Sequence, residues 1–127
     1  MFYIVESDKS FYEASVDLEE VILRLGFSVL QIHDSGDSLR SRGLDCDEEA
    51  KSFVIDSARL TERLLALDMR LSLALPWRIS VFTEEGATKI GLLRPPPALA
   101  VLSAHAAVAR LAYEFEEKLV QIVDEAR

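Results

Sequence analysis

Residues 75–95 constrain the fold of this chain more than any other segment. Two apolar, β-prone stretches, Arg78–Thr83 and Thr88–Leu93, are separated by Glu85-Gly86 and bordered by prolines. Two such stretches joined by a short turn that contains glycine predict an antiparallel β-hairpin. Proline disfavours helical backbone in the residue before it, so a preceding helix should end before Pro76.

Hydrophobic periodicity predicts the other elements. Apolar residues recur at helical spacing in three further segments, and Ser10 with Glu13 fits a capping box at the start of the first. Gly26 suits the end of that helix, because glycine adopts positive φ readily. The polar residues 34–49 predict a long excursion with one helical turn around Leu39. We therefore predict helices over 11–25, 60–75 and 98–126, and further strands over Phe2–Val5, Phe27–Ile32 and Phe53–Ile55.

The element order β-α-β-β-α-β-β-α predicts an α+β fold. We expect one two-layer domain over residues 1–127, with helices packed on a mostly antiparallel sheet. The final helix, if unbroken from Ala98 to Ala126, would be roughly 40 Å long, which exceeds the width of a small domain.

Composition excludes several classes of function. The net charge is −8 and no basic run is present, which argues against nucleic-acid and anionic-membrane partners. Cys46 is the only cysteine, and His33 and His105 are the only histidines, so we predict no metal site and no cofactor. A lone cysteine and the lack of a signal-peptide pattern favour a cytoplasmic protein.

Several short blocks, in this order and spacing, resemble the bacterial and archaeal family called domain of unknown function 302. The resemblance covers nearly the whole chain and implies an α+β fold like that of the TATA-binding protein, usually as a homodimer. The similarity to that protein is one of fold only. The blocks are Gly26-Phe27, Arg42-Gly43-Leu44, Leu64-Leu65, Leu75-Pro76, Arg78-Ile79-Ser80-Val81 and the Pro95 that follows the last strand.

The chain departs from this family at two cysteine positions. Many members carry Cys-Asn-Pro after the third strand, where this chain has Asp56-Ser57-Ala58. They also carry Leu-Pro-Cys before the fourth strand, where this chain has Trp77. Cys46 replaces neither cysteine, so paired-cysteine chemistry of that kind is not expected here.

Four residues near the strand ends are candidate ligand contacts, each with a structural alternative. Arg78 and Arg94 could hold a carboxylate or phosphate together, or could form solvated or ion-paired strand ends. Trp77 could stack on a ligand or fill the core. Asp56 could contact a ligand, or Asp56-Ser57 could cap the next helix.

His105 is the fifth candidate ligand residue. It could serve as a base or metal ligand, or as a hydrogen-bonded histidine within a packed face or interface. A nucleophilic role for Cys46 is disfavoured, because four acidic neighbours oppose formation of the thiolate.

The first half of the final helix, Ala98–Tyr113, is apolar nearly all round. A helix of this kind is buried on every side, so we predict a homodimer built on this segment. We assign one stripe to the sheet and a second to the partner copy. The sheet stripe is Leu102, Ala106, Ala109 and Tyr113, and the partner stripe is Val101, Val108, Leu111 and Phe115.

Together these features favour a non-catalytic binding or assembly protein. It would hold a protein partner or a small hydrophobic or anionic ligand, and we assign no catalytic residue. The alternative is an enzyme of unrecognised class that uses Arg78, Arg94, Asp56 and His105. A third possibility is a structural remnant that has lost the cysteine chemistry. A pocket containing both arginines and His105 would favour the enzyme or the ligand-binding protein, and a solid core would favour assembly.

Overall fold

Five antiparallel strands form one sheet in the computed structural model, which describes residues 1–127. The strands lie in the order β1-β5-β4-β3-β2, and they are β1 (Phe2–Ser7), β2 (Ser28–Asp34), β3 (Ala50–Asp56), β4 (Trp77–Glu84) and β5 (Ala87–Leu93). The helices are α1 (Phe11–Arg24), α2 (Ser35–Ser41), α3 (Ala58–Leu67), α4 (Pro95–Ala100) and α5 (Ala106–Ala126), with a 3-10 turn at Met69–Leu73. The predicted α+β class and element order are confirmed. α2 occupies the place of the helical turn expected around Leu39, and α4 is additional.

The predicted hairpin is formed by β4 and β5. Glu84 pairs with Ala87 across the turn, and the two turn residues both have positive φ, 51° at Glu85 and 84° at Gly86. Turns with two such residues match the right-handed twist of the flanking strands, and glycine reaches this conformation without steric cost.

Helix α1 begins as its sequence predicts. The Ser10 hydroxyl accepts a hydrogen bond from the Glu13 amide at 3.1 Å, which satisfies one of the free N–H groups of the first turn. Gly26 follows the helix with a φ of 89°. The buried face of α1, including Leu18 and Ile22, packs on the sheet.

One hydrophobic core of 24 buried residues lies between the helices and one face of the sheet. Alternate residues of β4 and β5 point into it, among them Ile79, Val81 and Ile90, which are fully buried. Helix α1 packs over β4 and β5, and Leu119 and Ile122 of α5 are buried in the same core. Every buried side-chain nitrogen or oxygen has a hydrogen-bond partner, so the core contains no unpaired polar side-chain atom.

The other face of the sheet, here called the open face, carries the remaining alternate residues. Phe2, Ile4 and Leu93 lie on it and are 63%, 42% and 58% exposed. Phe2 pairs with Leu93, and Ile4 pairs with Gly91. A Cβ at Gly91 would lie 2.6 Å from Cγ1 of Ile4, because the Ile4 side chain rests over the glycine.

The predicted unbroken helix from Ala98 to Ala126 is wrong at its start. The chain turns after α4, and α5 begins at Ala106. His105 caps α5, since its Nδ1 accepts from the Ala107 amide at 3.0 Å, and the Ser103 hydroxyl accepts from the His105 amide at 3.2 Å. Polar side chains that bond nearby amides in this way compete with helical hydrogen bonds and separate α4 from α5.

The second predicted helix, residues 60–75, also ends early. The Asp68 carboxylate accepts from the amide of Arg70 at 2.9 Å and pairs with its guanidinium. Asp68 itself is extended, with a φ of −161°, so α3 stops at Leu67 and a 3-10 turn follows. A short acidic side chain that caps the next turn explains the break, because it replaces the helical partner of the amide.

Candidate functional site

The two candidate arginines do not form one site. Arg94 makes a bidentate ion pair with Glu116 of α5, with its Nε 2.8 Å and its Nη2 3.2 Å from the carboxylate oxygens. This pairing raises the pKa of the Arg94 guanidinium. Arg78 is exposed on the open face and has no ion-pair partner within 4.0 Å. The predicted shared anion site is therefore wrong: Arg94 follows the end of β5 and turns to α5, whereas Arg78 points away from the helices.

Arg78 borders an apolar groove of about 330 Å³, here called the Arg78 groove. Arg78 is the only charged residue among those that line it. The groove lies where the 3-10 turn, β4, β5 and α4 meet. Its lining consists of Leu73, Ala74, Leu75, Pro76, Trp77, Arg78, Leu93 and Ala98.

Trp77 belongs to the core and also lines the Arg78 groove. It is 6% exposed, and its indole N–H donates to the Leu93 carbonyl at 2.8 Å. Its ring meets Phe115 edge-on, with centroids 5.6 Å apart. These contacts place Trp77 in the core. They hold its ring in place, so the ring is not free to stack on a ligand.

Asp56 is occupied by a local contact. Its carboxylate accepts a hydrogen bond from the Thr61 hydroxyl at 2.6 Å, and it does not line the Arg78 groove. Ser57 occupies the N-cap position of α3, but its side chain makes no capping bond. Ile55 pairs with Trp77 across β3 and β4, so the two family cysteine positions, Asp56 and Trp77, fall on neighbouring strands.

His105 and Cys46 lie outside the Arg78 groove. His105 uses Nδ1 to cap α5 from an exposed position, so it is hydrogen-bonded but does not lie within a packed face of the protomer. The Cys46 thiol donates to the Glu48 carbonyl at 3.1 Å within the loop before β3. No three side chains of His, Cys, Asp or Glu come together as a metal-binding group.

The predicted partner stripe on the last helix is wrong at three of its four positions. Val108, Leu111 and Phe115 are 1%, 7% and 4% exposed and belong to the protomer's own core. Val101 is 82% exposed and Tyr113, assigned to the sheet, is 59% exposed. Within α5 the two stripes are exchanged, because the buried stripe is the one that continues into the amphipathic second half of the helix. There it includes Leu119, Ile122, Val123 and Ala126.

A second cavity lies between α4 and α5, and the sequence did not reveal it. This α4–α5 cleft has a volume of about 460 Å³ and exists because the chain turns between the two helices. Buried Leu99, Val108 and Ala112 form its floor, and Arg94 and Tyr113 lie among its other lining residues. The sequence did contain one indication of the turn between α4 and α5. Ser103 and His105 are polar residues able to cap a helix, and they lie inside an otherwise apolar segment.

No helix of the protein combines the length and the apolar character that a membrane crossing requires. The family model for a domain of unknown function, DUF302, matches residues 3–126. The chain is also similar to an uncharacterized conserved DUF302 protein from Bacillus stearothermophilus, known from a crystal structure. The two are 26% identical, the alignment covers 99% of this chain and 98% of the other, and the TM-score is 0.92. No curated protein matches the sequence.

Proposed function

The chain belongs to the DUF302 family of domains of unknown function, and from its own geometry we propose that it is a non-catalytic binding protein for a small organic anion with an apolar chain. The observation that carries this proposal is the single unpaired guanidinium of Arg78 in an otherwise apolar groove. Ligand sites are usually concave and mostly apolar, with few polar groups to orient the ligand.

The charge of Arg78 is what selects an anion. Arg24, Arg63 and Arg94 each pair with a carboxylate, whereas other cations such as Arg42 remain unpaired on the exposed surface. Arg78 has no carboxylate within ion-pair distance, and none lines the groove. A guanidinium binds a carboxylate through two parallel hydrogen bonds, and the apolar walls would cover the chain of the ligand.

Three of the four residues that the alternative function, an enzyme, would use are engaged in other contacts. Arg94 is paired with Glu116, Asp56 accepts from Thr61, and His105 caps α5. No nucleophile, base and orienting group converge beside Arg78, which supports binding without catalysis. We place this function in the cytoplasm, where the free Cys46 would remain reduced.

Replacing Arg78 with glutamine is expected to weaken binding of octanoate by about 10- to 100-fold, because a hydrogen bond to a charged group contributes about 1.5–3 kcal/mol. Isothermal titration calorimetry measures the change. Arg42→Gln is the matched control, since Arg42 is exposed and unpaired but lies on the loop after α2. Equal losses in the two variants, or none in either, would contradict the proposal.

We also propose that the protein is a homodimer that associates through the open face. Phe2 and Leu93 are cross-strand neighbours, and with Ile4 they form a contiguous exposed apolar patch. Such patches commonly mark association surfaces. The family resemblance implies a homodimer as well. Arg78 lies on the same face, so a second copy there would border the Arg78 groove.

Phe2→Glu is expected to weaken the dimer by at least about 100-fold, because a symmetric interface loses two apolar side chains of about 1.5–3 kcal/mol each. Sedimentation velocity at micromolar concentration reports the change in mass. Tyr12→Glu, at a position 75% exposed on α1, adds the same charge away from the patch and should leave the dimer intact. A wild-type protein that sediments as a monomer would refute the proposal.

A further inference from the structure

The α4–α5 cleft differs from the Arg78 groove in its charge. Its lining contains one charged side chain, that of Arg94, and this side chain is already neutralised by Glu116. We propose that this cleft is a second binding site, which takes a small, uncharged, largely apolar molecule with one hydrogen-bond acceptor. The proposal is independent of the proposed function, because the two cavities share no lining residue.

The floor of the cleft reaches the hydrophobic core. Leu99, Val108 and Ala112 are each at most 1% exposed and also line the cleft, so a ligand would rest on core side chains. The volume of about 460 Å³ falls within the range of roughly 300–1,000 Å³ that holds drug-sized ligands. An apolar molecule in this position would be removed from water, which is the main driving force for its binding.

Two features restrict the backbone in the walls of the cleft. Pro96 and Pro97, in the first turn of α4, have little freedom in φ and form one wall. On the other side, the cap that His105 makes holds the first turn of α5. A site that is already ordered loses little conformational entropy on binding, and this favours affinity.

The polar groups of the cleft favour a neutral acceptor. The carboxylate of Glu116 accepts from Nε and Nη2 of Arg94, which leaves Nη1 available as a donor. The Ser103 hydroxyl accepts from the His105 amide, so its own proton remains free to donate. An anion would meet the Glu116 carboxylate as a competitor for Arg94, and a cation would find no unpaired carboxylate in the lining.

Two probes with the same apolar chain separate the sites by charge: 1-octanol for the cleft and octanoate for the Arg78 groove. Ala109→Trp fills the cleft from an exposed position of α5 and is expected to lower the octanol affinity at least tenfold. Ala106→Trp is the matched control, because Ala106 is also exposed on α5 but does not line the cleft. Octanoate affinity should be unchanged in both variants.

Amide chemical shifts of isotope-labelled wild-type protein locate the octanol. They are expected to change over residues 96–113 and not around Arg78, and shifts confined to other regions would overturn the proposal. Unchanged octanol affinity in Ala109→Trp would overturn it too. If that variant fails to fold, Ala109→Leu provides the same comparison with a smaller side chain. Failure of octanoate binding alone contradicts the proposed function and leaves this site standing.

Glu116→Gln tests whether the Glu116 carboxylate keeps anions out of the cleft. This variant removes the competing carboxylate and leaves Arg94 unpaired in the cleft, so octanoate should now shift residues 96–113 as well. Octanoate that already binds the wild-type cleft more tightly than octanol does would show that the cleft does not select a neutral molecule.

Discussion

Replacing Leu119 with glutamate is expected to unfold the protomer, whereas Val101→Glu should leave it folded. Leu119 is fully buried in the stripe by which α5 covers the sheet, and Val101 is 82% exposed in the turn before α5. Loss of a buried leucine costs about 2–5 kcal/mol by itself, and an unpaired charge in its place adds to that cost. The sum is comparable to the whole stability of a small domain, about 5–15 kcal/mol.

Circular dichroism and the fluorescence of Trp77, the one tryptophan of the chain, report folding in both variants. If Leu119→Glu accumulates only as aggregate, Leu119→Ala gives a measurable loss of about 2–5 kcal/mol in urea unfolding. Equal stability of the Leu119 and Val101 variants would mean that α5 does not cover the sheet in the orientation described.

The elements whose boundaries follow from local backbone chemistry were predictable from the sequence. The hairpin turn requires residues that accept positive φ, and Glu85-Gly86 supplies the glycine. Helix α1 begins at a serine that bonds an amide three residues later. In each case the decisive interaction lies within a few residues of sequence, so a single chain reveals it.

The break before α5 was not predictable from apolar periodicity, because its cause is a competition for hydrogen bonds. Ser103 and His105 accept from amides that would otherwise bond within a continuous helix. Residues 98–113 are so uniformly apolar that several helical stripes fit them. Only the amphipathic residues further along α5 show which stripe is buried. Extending the pattern back from Leu119 and Ile122 identifies Val108, Leu111 and Phe115 as the buried face.

The candidate site was predictable in its residue types more than in its arrangement. The sequence singled out Trp77 and Arg78, which do line one groove. It also joined Arg94 to them, because adjoining strand ends suggest proximity. Alternation along a strand and the turn into α4 separate the two arginines, and the partner of Arg94, Glu116, lies 22 residues away in sequence. Such distant pairing leaves no local signal.

Phe115→Ala is expected to lower the unfolding free energy by about 3–5 kcal/mol, which corresponds to a fall in melting temperature of about 10–20 °C for a domain of this size. The Phe115 ring stacks on Phe27, with centroids 6.3 Å apart, and meets the edge of Trp77. Its removal therefore loosens the contact of α5 with Phe27, just before β2, and with Trp77 of β4. Tyr113→Ala, an exposed aromatic of the same helix, should change stability by less than about 0.5 kcal/mol.

The Phe115 variant also separates a core role from an interface role. A core residue lowers stability equally at every protein concentration, because the loss occurs within one protomer, whereas an interface residue changes the mass and the concentration dependence of melting. Near-UV circular dichroism should weaken in Phe115→Ala, since the indole of Trp77 loses its edge-on neighbour. An unchanged unfolding free energy together with a halved sedimentation mass would instead place Phe115 in a dimer interface on α5. The helix would then have to be rotated about its axis relative to the orientation described above.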